Sequence, residues 1–220
     1  DKTNPEKLAK RRYAFWTVSA ALGKELRSIF LPCFSMVISD VVGELELAAS
    51  SLCQPKLAEK SAAGTKKRRL TGSDEDAGYG AESLHTLEPL LRCLEHCLRA
   101  DALDGGNWVR SDENQRYNTL LEPLGKLLQS RVPSDTQTHE ETISDPFQRI
   151  VHGAVEDGGS VVSCLTALAA AAGNEQLWKP LNHSVLEACA NESRSEVRQA
   201  GIACLLSLMK SLGEEYMVLL

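Results

Sequence analysis

Apolar residues recur at helical spacing over nearly the whole of this chain, and that periodicity constrains the fold more than any other feature. Phe15, Val18, Leu22, Leu26, Ile29 and Phe30 mark one face of a first helix predicted over 6–30 and closed by Pro32. Phe34, Val37, Ile38, Val41, Val42 and Leu45 repeat the i, i+3, i+4, i+7 rule over 33–53. So short a connection predicts an antiparallel hairpin. Farther on, Leu84, Leu87, Leu91, Leu94 and Leu98 stripe a third helix, and Gly105 and Gly106 end that region. Ser111 or Asp112 is positioned to cap a fourth, carrying Tyr117, Leu120, Leu124, Leu127 and Leu128. More helices are predicted over about 140–156, with Phe147, Ile150 and Val151, and over 160–172, 175–190 and 194–212. Eight helices and no convincing strand make the expected fold all-α. Leucine and alanine are abundant and long β-branched runs are absent, which speaks against a sheet-built enzyme.

Two stretches interrupt the pattern. Pro55 opens a segment, 55–82, with scattered lysines, the run Lys66, Lys67, Arg68 and Arg69, and then Gly72-Ser73-Asp74-Glu75-Asp76. It has little to bury and reads as a disordered charged insert between a first helix pair, 1–54, and the helices of 83–220. A second polar loop is expected over 131–139, around Pro133. The formal net charge of −6 excludes a whole-surface nucleic-acid binder while leaving local basic patches. No stretch approaches the ~18–20 apolar residues of a membrane span. The seven cysteines are an odd number without any C-x-x-C pair, which fits a reducing compartment better than a disulfide framework. With Asp1 at its start and an apolar run at its end, the chain reads as an excerpt of a longer protein.

A repeat lies within the helices. Leu87-Glu88-Pro89-Leu90-Leu91-Arg92-Cys93-Leu94 aligns with Leu121-Glu122-Pro123-Leu124-Gly125-Lys126-Leu127-Leu128, identical at five of eight positions, and Lys179-Pro180-Leu181 repeats the proline step. An interior proline removes a backbone hydrogen bond and costs ~3 kcal/mol in an isolated helix. Recurrent tolerance of that cost points to a curved array in which neighbouring helices compensate.

The last helix pair is the most distinctive. Ser193-Arg194-Ser195-Glu196-Val197-Arg198-Gln199-Ala200 resembles the start of the second helix of a HEAT repeat, with Val197 in the interhelical core and Arg198 reaching a neighbouring repeat. Before it stands Leu177-Trp178-Lys179-Pro180-Leu181-Asn182, and after it Glu215-Tyr216-Met217-Val218-Leu219-Leu220. In this order the motifs resemble the C-terminal region of the large HEAT-repeat subunit of the small-subunit processome. That family is also called U-three small-nucleolar-RNA-associated protein ten or HEAT-repeat-containing protein one. The resemblance is strong over 175–220, weaker but collinear over about 84–130, and leaves 55–82 unmatched.

The resemblance implies an α-solenoid of about four antiparallel HEAT-like helix pairs, truncated before the family's final helices. Without the 28 residues of the insert, 192 of the 220 remain, just over four units of the ~40–47 residues typical of HEAT repeats. It also implies a nuclear and nucleolar scaffold supporting rRNA transcription and pre-rRNA processing. Its implied partners are other processome subunits, β-propellers among them, the U-three small nucleolar ribonucleoprotein and pre-rRNA. No enzyme activity, cofactor, membrane or small-molecule substrate is implied. The alternative is a HEAT-repeat nuclear transport receptor or adaptor, whose acidic inner surface would grip basic peptides.

Individual residues add candidates. Lys66, Lys67, Arg68 and Arg69 resemble a nuclear localisation signal, and Ser73 before Asp74-Glu75-Asp76 suits an acidophilic kinase. Lys7, Lys10, Arg11 and Arg12 are candidate contacts to RNA phosphates or an acidic partner. Trp178, Pro180, Leu181, Val197 and Arg198 are the expected packing residues of the last pair. Cys93, His96 and Cys97 share a helix face at i, i+3, i+4 but lack an evident fourth ligand, so no metal is expected there. No nucleophile motif, phosphate loop or paired carboxylates mark a catalytic centre.

Overall fold

The computed structural model describes residues 5–53, 76–130 and 159–220, which form helices joined by turns, without a strand among them. In chain order the elements are α1 (Pro5–Leu26), a 3-10 turn (Arg27–Phe30), α2 (Leu31–Ser35), α3 (Ile38–Cys53), α4 (Asp76–Leu103), α5 (Gln115–Leu128), α6 (Gly159–Ala172), α7 (Glu175–Cys189), α8 (Ser195–Leu212) and α9 (Glu214–Met217). Seven of the eight helices expected from periodicity are therefore present. The eighth, over 140–156, lies outside the described residues, as do the loop 131–139, the basic run Lys66–Arg69 and Ser73.

Three boundaries differ from expectation. Pro32 does not close the first helix. α1 ends at Leu26, Arg27 takes a positive φ of 51°, and Pro32 sits in the first turn of α2, where its missing N–H has no partner to lose. The charged insert is shorter than the expected 55–82, because α4 already begins at Asp76. Gly78 and Gly80 lie within that helix, since a glycine costs only ~1 kcal/mol relative to alanine and keeps its hydrogen bond. Neither Ser111 nor Asp112 caps α5. Asp112, Glu113 and Asn114 run through consecutive left-handed conformations, and Asn114 precedes the helix without a side-chain capping bond.

The packing falls into two series. α1 packs against α4, α4 against α6, and α6 against α8; α3 packs against α5, and α5 against α7. Cross-contacts of α3 with α4, α5 with α6 and α7 with α8 tie the series together. One continuous hydrophobic core runs from Trp16 to Tyr216 through the leucine stripe of α4, including Leu87, Leu91, Leu94 and Leu98. Pro89 and Pro123 are buried inside their helices. The cost of their missing hydrogen bonds is thus set against apolar burial, which stabilises by roughly 25 cal/mol per Å².

α1 turns away from its expected face. Trp16, Ser19, Gly23 and Phe30 are buried against the rest of the chain, whereas Phe15, Val18, Leu22, Leu26 and Ile29 remain exposed, Ile29 at 76%. α4 packs beside this face: a Cβ placed on Gly23 would lie in ordinary contact with His96 Cβ at 3.5 Å and Cys97 Sγ at 3.7 Å.

A polar corner closes the turn between α4 and α5. Asp101, 1% exposed, accepts from the backbone N–H groups of Trp108 at 2.8 Å and Val109 at 2.9 Å. Gly106 N–H donates to the Asp101 carbonyl at 2.7 Å. Trp108 Nε1 donates to Ser35 Oγ of α2, and the Arg116 guanidinium lies 5.5 Å from the centre of the Trp108 ring. Residues from three helices thus lock one turn, and its carboxylate satisfies amides that burial would otherwise leave orphaned.

Candidate functional site

The motif-bearing last pair is a packing unit. Trp178 is buried, donates from Nε1 to the Ala169 carbonyl of α6 at 2.8 Å, and meets the Tyr216 ring edge-on at 6.1 Å. Tyr216 Oη donates to Asn182 Oδ1 at 2.9 Å, while Asn182 Nδ2 donates to the Leu219 carbonyl at 3.4 Å. The segments Leu177–Asn182 and Glu215–Leu220, remote in sequence, are therefore one hydrogen-bonded cluster. Leu181 and Val197 are fully buried, as expected.

Two of the expected packing residues behave differently. Pro180 is exposed, unlike Pro89 and Pro123. It occupies the outer side of α7, where its ring meets solvent while Leu181 fills the core. Arg198 does not reach a neighbouring repeat; its Nη1 donates back to the Asn191 carbonyl at 3.1 Å, closing the turn before its own helix. Gly201, one turn after Val197 on the face that the spacing marks as apolar, has a bare Cα that lets α8 cross close to the backbone of α7 at Ala188 and Cys189.

The basic cluster on α1 divides. Lys7 and Arg11 are exposed, Lys10 pairs with Glu6 at 2.6 Å within the helix, and Arg12 turns to Glu44 of α3 at 3.3 Å. Arg12 is thus a link between helices, and one carboxylate oxygen of Glu44 beside it, Oε2, is buried without a hydrogen-bond partner. This pair borders the exposed stripe of α1 through Phe15 and, on α3, Leu47.

Cys93, His96 and Cys97 do not converge on a common point. Cys93 and Cys97 are buried in the core, where a hydrogen bond donated by the Cys97 thiol to Cys93, together with burial, pushes the Cys97 thiol well up. His96 instead lines a groove of about 480 Å³ between α1 and α4, with Lys24 and Arg92 among its neighbours. Burial lowers its pKa against the raising effect of Glu95, so the neutral ring is favoured. Among the described residues no group of His, Cys, Asp and Glu is arranged to hold a metal ion. No single described helix is long and apolar enough to cross a membrane.

The surface features are grooves and stripes between helices. A groove of about 630 Å³ lies where α4, α6 and α8 meet and combines Arg99 and Lys210 with alanines and hydroxyls. At the opposite end of the same series runs the exposed stripe of α1, and α8 exposes Ile202 and Leu206. Apolar patches of this kind mark contact surfaces.

Comparison with known proteins gives one informative relative. The chain is 29% identical over 210 residues to an uncharacterized protein of Arabidopsis thaliana, which covers 96% of this chain but only 8% of the relative. No family model matches, and no solved structure matches.

Proposed function

We propose that this chain is a segment of a non-enzymatic scaffold, an α-solenoid of HEAT-like helix pairs belonging to the small-subunit processome. In that setting it supports rRNA transcription and pre-rRNA processing in the nucleolus by holding protein subunits in place. The observation that carries the reading is the pair of unfinished ends. α1 keeps Phe15, Val18, Leu22 and Leu26 exposed, as the turn after it does Ile29, and α8 exposes Ile202 and Leu206. A self-contained domain buries such stripes, whereas an array of stacked helix pairs offers them to further layers, and its capping units alone carry polar outer faces. The relative's length, of which the matched stretch is 8%, suits the same architecture. The motifs around Trp178 and Tyr216, which form one packed cluster, carry the family resemblance.

Affinity purification of the parent protein from nuclear extract tests the proposal. Recovery of processome subunits together with pre-rRNA is the expected result. Recovery of import cargoes in their place would sink it and favour the transport adaptor. That alternative calls for an acidic gripping surface, whereas the groove between α4, α6 and α8 is lined by two cations and no carboxylate.

A further inference from the structure

The groove between α4, α6 and α8 has a chemistry of its own. Arg99 and Leu103 come from the end of α4, Thr166 and Ala170 from the second half of α6, and Ser207 and Lys210 from the end of α8. Its alanines keep the helix backbones accessible, so an incoming main chain can lie close. Leu103 is 80% exposed at the rim, an apolar side chain with nothing covering it. Thr166 and Ser207 hydroxyls lie 2.9 Å apart across the α6–α8 contact and offer polar atoms to a peptide backbone. Lys210 has no ion pair among the described residues. Arg99 pairs at i, i+4 with the mostly covered Glu95 at 2.8 Å, and its own side chain remains largely exposed towards the groove.

We propose that this groove docks an acidic, extended peptide segment of a partner protein. Its carboxylates pair with Arg99 and Lys210, and an apolar side chain covers Leu103. Charge complementarity selects the occupant: the lining holds two cations and no acid, on a chain whose overall charge is −6. A nucleic-acid strand fits less well. Such a strand needs a longer run of cations to neutralise successive phosphates, and the lining supplies only Arg99 and Lys210. The proposal rests on the scaffold reading for its biological setting and names the chemistry of one partner.

Fluorescence anisotropy on the purified chain tests it, with a labelled short peptide of glutamates flanking one leucine, a lysine counterpart, and a short oligouridine as probes. Saturable, salt-sensitive binding of the acidic peptide alone is expected. Arg99→Ala with Lys210→Ala should weaken it about tenfold, equivalent to ~1.4 kcal/mol, with the circular dichroism unchanged. Ala170→Glu, which keeps both cations but adds a carboxylate to the lining, should weaken it as well, and Lys179→Ala on α7 should leave it alone. Absence of saturable binding, or equal binding by the double variant, would overturn the proposal. So would oligouridine binding that is lost in the double variant while the acidic peptide is ignored. If peptide binding holds but processome subunits are not recovered from nuclear extract, only the assigned setting fails.

Discussion

Gly201→Ala is expected to destabilise this protein although helix propensity alone would have it stabilise. In an exposed helix interior, alanine is favoured over glycine by ~0.8–1.0 kcal/mol. At this position, however, the new Cβ would lie 2.7 Å from Cys189 N, 2.9 Å from Ala188 C and 3.0 Å from Ala188 Cβ. Optimal contact is ~3.5–4.0 Å, so α7 and α8 must separate by roughly 0.7–1 Å. The obstruction is backbone rather than a side-chain tip, so no rotamer change relieves it. A gap of that size forfeits about a quarter to a half of each dispersion contact across the interface, where Val197, Ala200 and Cys204 are buried with Val185 and Ala188. Overpacking of this kind costs ~1–3 kcal/mol, which at least offsets the propensity gain and leaves a net loss of up to about 2 kcal/mol. Gly43→Ala is the internal control. It lies within α3 with nothing inside 4 Å of its added Cβ, so it should stabilise by up to ~1 kcal/mol. Urea unfolding followed by circular dichroism measures both, and thermal melts should move in opposite directions by ~2–4 °C per kcal/mol. An equal gain in the two variants, with unchanged denaturant slopes, would refute the close crossing of α7 and α8.

Three other perturbations probe separate parts of the fold. Gly106→Ala places a Cβ 1.8 Å from the Ala171 carbonyl oxygen at a residue with φ of +72°; the clash and the left-handed backbone together should cost ~3 kcal/mol or more, read by urea unfolding. Asp101→Ala removes the acceptor of two buried amides, each costing ~1–3 kcal/mol when orphaned, and hydrogen exchange at Trp108 and Val109 should speed up locally. Burial pushes the Cys204 thiol from 9.0 up to about 12 and the Tyr216 hydroxyl from 10.0 up to about 12. Both are acids held neutral in the fold, so the stability they contribute is full below pH 9 and is lost as pH rises from 9 towards 12. Urea midpoints at stepped alkaline pH check this, and a flat profile through that window would contradict the burial of both groups.

The helices were legible because each needs only local information. Leu87, Leu91, Leu94 and Leu98 fall on one side of a helix whatever surrounds it, and all four are buried. Likewise Val197, Cys204 and Leu208 on α8 are core residues, as their spacing implied. The candidate sites were far less legible. Lys7, Lys10, Arg11 and Arg12 are one cluster in sequence, yet Arg12 belongs to the α1–α3 contact and Lys10 to a pair within α1. The groove of Arg99, Thr166 and Lys210 has no sequence signature, because it is assembled from the ends of helices separated by whole loops. The turn at Asp101 is similar: an aspartate after a leucine helix gives no hint that Trp108 and Val109 will donate to it.

By itself, then, the order of residues determined that this protein is helical, which segments form its helices, and which side of α4 and α5 packs. Those follow from the geometry of a single helix, whose apolar stripe must leave water. Which of two apolar faces turns inward was decided only by the tertiary structure. α1 carries both the apolar stripe of Phe15, Val18, Leu22 and Leu26 and a second face of Trp16, Ser19 and Gly23, and the second is the buried one. Periodicity measures how apolar a face is, but which face is covered depends on what distant parts of the chain bring to it. Here α4 brings His96 and Cys97 beside Gly23, and the first stripe stays exposed.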